Sequence, residues 1–450
     1  MAAESPTFIV VEEERGWFDP NPIFVEGIPA CAEVAIEATF EDAEGQVWSS
    51  KGVYHAGADG RVDVATSASF GGTYQGVHAH GLTWSALPLP LSELGATPDP
   101  ASIGEDAPRT PSIRPMEPTT VKYRVFAITK FDPFEALINE VQQTVYTMAP
   151  GVVREEIDHG QVRGVLFRPE SFDQPPAVLW ISGSGGGVSD RSAALVASKG
   201  FAVLAIATFA YEGRPDALER IPLEYFRDGA DYLRNRFKVD QVGIAGGSRG
   251  GETALLVAAI FPNRFGAVMA SVPSNLINAG CCSPESYKYP AYTYDGRDLP
   301  VLTGMPDYSA LDMSSIPELP ETWRYDWQFQ MDKAEDENLI PVERIKAPIM
   351  LISGDADLLW PSSVAANRIA DRLKQSQFEH PITNLVYDGA GHFSGAMMPF
   401  SALTEVALHP VIKSRIPLGG FPRANAHANY DAFDEQIAFF RKNLKSSQLP

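Results

Sequence analysis

Ser248, Asp357 and His392 have the residue types, chain order and local settings needed for nucleophilic acyl chemistry. A serine hydroxyl is a weak nucleophile until a base takes its proton, and the base needs an acid to orient it and balance its charge. Ser248 lies in Gly246-Gly247-Ser248-Arg249-Gly250, after the strand-like run Gln241–Gly247 and before the helix-like run Glu252–Ala259. Gly-x-Ser-x-Gly between a strand and a helix marks a sharp turn that lifts the serine oxygen above a sheet, and the flanking glycines leave room for it. The backbone N–H of Arg249, at the start of the helix, would then face a developing oxyanion. The same spacing also suits a glycine-rich corner with no chemistry, so the downstream residues have to decide.

In folds that use this turn, the acid and the base follow the serine in the order Ser, Asp or Glu, His. Ile349–Gly354 reads as a strand running into Asp355-Ala356-Asp357; Asp357 is the favoured acid and Asp355 the alternative. His392 ends the glycine turn Asp388-Gly389-Ala390-Gly391 after the next strand, and the interval from 357 to 392 holds one helix and one strand. Of the other histidines, His55, His78, His80 and His159 precede the serine, His380 precedes its strand, and His409 and His427 lie too far beyond it. A second oxyanion donor belongs in the loop after Ala177–Ile181, namely Ser182-Gly-Ser-Gly-Gly-Gly187, with Gly185 and Gly186 as candidates. That loop lacks Gly-Lys-Ser/Thr, and Val188 stands where a dinucleotide fingerprint needs its third glycine, so neither a P-loop nor a nucleotide cofactor is indicated.

The elements that position these residues change character along the chain. Residues 1–130 hold short β-branched and aromatic runs separated by glycine-rich turns, the pattern of an antiparallel β-sandwich. A proline-rich stretch from Leu87 to Pro118 reads as an irregular loop before the last strand. Phe134–Met148, within a connector of 131–151, has helical spacing between Pro133 and Pro150-Gly151. From 152 to 450, apolar runs alternate with amphipathic helices, which predicts a parallel sheet covered on both faces. The alternation fails at about 273–339, a stretch rich in Pro, Tyr and Asp that reads as a lid or substrate loop; its tyrosines with Trp323 and Trp327 argue for order.

Composition narrows the function further. The 450 residues carry a formal charge of −21, which opposes binding to nucleic acid phosphates. No apolar run is long enough to span a bilayer, no basic-then-apolar leader opens the chain, and the end does not match a peroxisomal address, so a cytoplasmic location is expected. Three cysteines, Cys31, Cys281 and Cys282, give no disulfide framework; the adjacent pair has poor geometry for bonding to itself and reads as small residues of a loop anchor. No zinc-ligand spacing occurs, and no metal or cofactor is expected.

The sequence resembles the acyl-CoA thioesterase and bile acid-CoA:amino acid N-acyltransferase family. The resemblance is carried, in order, by GGTYQGVHAHGLTWSA (71–86), PGVVREEIDHGQVRGVLFRP (150–169), SGSGGG, KGFAVLAIATFAYE (199–212), LEYFRDGADYL (223–233), GGSRGGE (246–252), IPVERIKAPIMLISGDADLLWPS (340–362) and YDGAGHF (387–393). It implies an N-terminal β-sandwich, a C-terminal α/β-hydrolase domain, a small-molecule acyl thioester or ester substrate, and Ser248, Asp357 and His392 as the triad. Family members that conjugate bile acids carry cysteine at the nucleophile; the serine here implies hydrolysis, with transfer of the acyl group to an amine or hydroxyl as the alternative.

Overall fold

The computed structural model describes residues 8–89, 110–129, 132–283, 285–302 and 323–445; parts of the proline-rich stretch and of the 273–339 segment lie outside them. The chain divides into two compact units. One contains residues 1–148 with Pro399–Thr404, and the other Ala149–Met398 with Glu405–Pro450.

The first unit holds a three-stranded antiparallel sheet and a larger, mostly antiparallel sheet of seven strands. Its centre is Glu33–Glu41, paired with Val47–His55 on one side and Thr119–Thr129 on the other. Val34, Ile36, Ala38 and Phe40 are buried, and so are Trp48 and Tyr54 on the partner strand, so alternation buries one face. Gly81–Trp84 is one helical turn.

Residues 134–148 do not form the expected helical connector. Asp132–Tyr146 is a fifteen-residue strand, antiparallel to Thr119–Thr129. A helix would have buried Leu137 and Ile138, which are exposed here, while Gln143, Val145 and Thr147 are buried at period two. Gln143 explains the misreading. It is polar but fully bonded, its Oε1 accepting from Arg15 Nε (3.0 Å) and Tyr123 O–H (3.1 Å). A ready-made strand edge and a satisfied buried amide override local helical spacing.

The second unit is built on an eight-stranded sheet. Its strands are β1 (Val152–His159), β2 (Val162–Pro169), β3 (Ala177–Ile181), β4 (Ala202–Ile206), β5 (Val242–Gly247), β6 (Phe265–Ser271), β7 (Ile349–Gly354) and β8 (Ile382–Tyr387). The spatial order is β1-β2-β4-β3-β5-β6-β7-β8. β1 and β2 form an antiparallel pair, β2 meets β4 antiparallel, and every later pairing is parallel. All residues of β3, β4 and β7 are buried, as continuous apolar runs require when helices cover both faces. The helices are α1 (Asp190–Ala197), α2 (Leu223–Phe237), α3 (Arg249–Ile260), α4 (Trp323–Lys333), α5 (Ser362–Gln375) and α6 (Pro422–Asn443). The order reverses direction between β3 and β5, so the loop after β3 and the start of α3 meet at the carboxyl ends of the strands, where open α/β sheets bind ligands.

Candidate active site

Ser248 joins β5 to α3 with φ 58° and ψ −125°, a conformation that costs a non-glycine residue of order 1–3 kcal/mol. The neighbouring packing holds it there. A Cβ on Gly250 would lie 2.4 Å from the Ile181 carbonyl oxygen, and one on Gly246 would lie 2.4 Å from that of Gly250. The flanking glycines are thus steric requirements of the turn.

His392 Nε2 lies 3.0 Å from Ser248 Oγ, and His392 Nδ1 lies 2.9 Å from Asp357 Oδ2. His392 follows β8 and Asp357 follows β7, so adjacent strands bring them together. The Asp357 carboxylate is buried and accepts from the Ser362 hydroxyl (2.6 Å) and from the Leu359 and Trp360 amides (3.0 and 3.2 Å), which fix its plane. Trp360 packs edge-on against the His392 ring at 5.7 Å. Asp355 instead accepts from the Gly389 amide (2.7 Å) and ties the loops after β7 and β8 together.

The loop after β3 lies beside the nucleophile. A Cβ on Gly183 would sit 3.4 Å from Ser248 Cβ. Gly186 is not free to serve as a donor, because its amide already donates to the Gly183 carbonyl (3.2 Å) in a tight turn. Of the predicted glycine pair, Gly185 is left; Arg249 begins α3 as expected. The Arg249 side chain turns inward. It pairs with buried Glu252 (3.1 Å) and donates to the Ala279 carbonyl (2.7 Å), while Asn278 binds Glu252 through its amide and its side chain (both 2.9 Å). This network fastens the start of the 273–339 segment to the nucleophile helix. Burial raises the Glu252 pKa, and Arg249 and Asn278 oppose that rise.

His409, set aside in the sequence as too distant, reaches the site without acting on Ser248. Its Nδ1 accepts from the Val411 and Ile412 amides (both 3.2 Å), which leaves the proton on Nε2 for Ser184 Oγ at 2.9 Å. Burial, reinforced by Lys413, pushes the His409 pKa down to about 4, so it is neutral at pH 7. Nothing in its sequence neighbourhood signalled this, because the position depends on the fold-back of residues 405–416.

Two cavities meet at Ser248. A narrow one of about 90 Å³ is walled mainly by apolar groups, among them Leu276, Ile277, Trp327, Trp360, Ile412 and Ile416. A wider one of about 360 Å³ is lined by Ser182, Gly183, Ser189, Arg191, Ser192 and His392 among others. Cys281 and Cys282 also wall the narrow cavity, and the structure bonds them to each other, contrary to the sequence reading. Among the described residues, no cluster of His, Cys, Asp and Glu is placed to hold a metal ion, and no helix is long and apolar enough to cross a membrane.

Strand order, the strained serine turn and the Ser–His–Asp distances define an α/β-hydrolase equipped for serine nucleophilic chemistry. More particularly, the chain belongs to the BAAT and acyl-CoA thioester hydrolase family. The model of the C-terminal region of that family matches residues 221–446, and that of the N-terminal region matches 19–159. The chain is similar to acyl-coenzyme A amino acid N-acyltransferase 2 of Mus musculus, with 31% identity over 436 residues that cover 95% of this chain and 96% of that one. It is also similar to acyl-coenzyme A thioesterase 1 of Homo sapiens, at 29% over 432 residues, 95% of this chain and 94% of the other.

Proposed function

We propose that this protein hydrolyses an acyl-CoA-type thioester through an acyl-serine intermediate. The observation that carries the reading is the unbroken Ser248–His392–Asp357 chain of contacts at the mouth of an apolar cavity. Ser248 Oγ attacks the thioester carbonyl while His392 Nε2 takes its proton, and buried Asp357 stabilises the imidazolium. The Arg249 amide and a donor in the Gly183–Gly185 turn hold the tetrahedral oxyanion. His392 returns the proton to the departing thiolate, leaving the acyl group on Ser248. Water then attacks the acyl-serine, giving its proton to His392; the free acid departs and Ser248 Oγ is reprotonated. The similar thioesterases support the thioester as the bond cleaved.

The test is Ser248→Ala with a panel of acyl-CoA substrates. Acid release should fall by about 10⁴-fold or more. Retention of activity within tenfold of wild type would refute the assignment.

A further inference from the structure

Ser184 carries a proton that the protein itself does not use. It lies in the loop of residues 182–187 after β3. That loop is pinned at several points: Ser182 Oγ donates to the Gly187 carbonyl (3.2 Å), the Gly186 amide to the Gly183 carbonyl (3.2 Å) and the Gly187 amide to the Phe209 carbonyl (2.8 Å). Ser184 adjoins Gly183, the residue that packs against Ser248. Ser184, Ser248 and His409 each line both cavities, so all three lie where the cavities meet.

The direction of the Ser184–His409 hydrogen bond follows from what holds the ring. His409 Nδ1 accepts from the Val411 and Ile412 amides, so that nitrogen carries no proton. A neutral imidazole has one N–H, which must then sit on Nε2 and donate to Ser184 Oγ. The backbone of His409 is fixed as well, its amide donating to the Ser414 carbonyl (2.9 Å) and its carbonyl accepting from the Lys413 amide (3.0 Å). A serine hydroxyl has one proton and two lone pairs. With one lone pair committed to His409, the proton points elsewhere, and among the described residues no acceptor takes it. The opposite tautomer would draw the Ser184 proton to the ring and give up two amide bonds.

We propose that Ser184 is a catalytic residue whose hydroxyl donates to the oxyanion formed on Ser248, and that His409 is the positioning residue that directs this proton. Negative charge builds on the carbonyl oxygen as Ser248 Oγ adds, beside the turn that carries Ser184. A hydrogen bond to an ionised oxygen is about twice as strong as one to a neutral oxygen, so the contact favours the transition state over the bound substrate. The contribution comes from a side chain and adds to that of the backbone amides. Proton transfer stays with His392.

The inference rests on the reading of Ser248 as nucleophile, and the experiment separates the two. Hydrolysis of acetyl-, hexanoyl- and palmitoyl-CoA is compared in wild type, Ser184→Ala, Ser184→Thr, His409→Leu and the Ser184→Ala/His409→Leu double variant. Inhibition by an alkyl trifluoromethyl ketone, to which Ser248 Oγ adds to give a hemiketal oxyanion, is measured in parallel. Ser184→Ala should lower kcat about 100-fold with KM within about threefold of wild type, and should weaken ketone inhibition by a similar factor. Ser184→Thr keeps the hydroxyl and should recover about tenfold or more of the loss. His409→Leu should lower kcat about tenfold, and the double variant should be no slower than Ser184→Ala, because the imidazole acts only through that hydroxyl. A tether between the two loops would lower the melting temperature without moving kcat and ketone affinity together. A Ser184→Ala kcat within about threefold of wild type, a loss confined to KM, or unchanged ketone inhibition would overturn the proposal. Additive losses in the double variant would remove His409 from it. Should wild type cleave none of the thioesters and resist a fluorophosphonate, the nucleophile reading fails and this one falls with it. A reactive wild type indifferent to Ser184→Ala sinks this one alone.

Discussion

The two cavities at Ser248 differ in what lines them. The narrow cavity has mainly apolar walls, and the charge that lines it, Arg249, is already paired with buried Glu252. The wider cavity has Ser182, Ser189, Arg191 and Ser192 in its walls. An apolar wall selects by size and shape, whereas a polar wall selects by charge and hydrogen bonding.

Three changes test this contrast. The largest effect belongs to Asp357→Asn, which should lower kcat by about 10⁴-fold by favouring the wrong His392 tautomer. Because both cavities serve one nucleophile, steady-state assays should show the same factor for neutral and anionic substrates. A factor that depends on substrate charge would break the picture of a shared triad.

The second change is Leu276→Trp in the wall of the narrow cavity. Leu276 is 2% exposed, so the added volume should fill the cavity and cost about 1–3 kcal/mol of stability. Long-chain acyl thioesters should lose about tenfold or more in kcat/KM, and acetyl or butyryl thioesters should lose far less. Chain-length profiling checks this, and a uniform loss across lengths would place the acyl group elsewhere.

The smallest effect concerns stability against pH. His409 has a folded pKa pushed below its ordinary value of 6.5, to about 4, by burial and by Lys413. The unfolded chain therefore binds its proton first as the pH falls. The stabilising contribution of neutral His409 is complete above pH 6.5 and disappears progressively as the pH drops toward 4. Thermal melts of His409→Gln, which keeps an N–H donor for Ser184, should fall less steeply than wild type between pH 6.5 and 4.5.

The chemistry of the site was easier to read in the sequence than its surroundings. Ser248, Asp357 and His392 each follow a strand in a glycine-marked turn, and β5, β7 and β8 of one sheet bring those turns together. The residues around them gave weaker signals. Gly183 looked like one glycine among several until the backbone of the elbow came within reach of it. His409 sits in no motif, and its bond to Ser184 appears only once residues 405–416 fold back. Residues 134–148 misled because Leu137 and Ile138 complete a helical stripe that the actual strand leaves exposed. Pairing with a distant segment decides strand formation, and local spacing does not carry that information.

The short stretch Pro399–Thr404 has a consequence for how the chain is made. It belongs to the first unit, where the Ser401 and Ala402 amides both donate to the Trp84 carbonyl (3.1 Å each) and the Phe400 ring packs edge-on against Trp17 (4.9 Å) and tilted against Phe40 (5.3 Å). Leu87 packs with Ala402 and Leu403. During synthesis the amino-terminal unit must therefore wait, one piece short, until the ribosome has passed residue 404 and most of the catalytic unit has emerged.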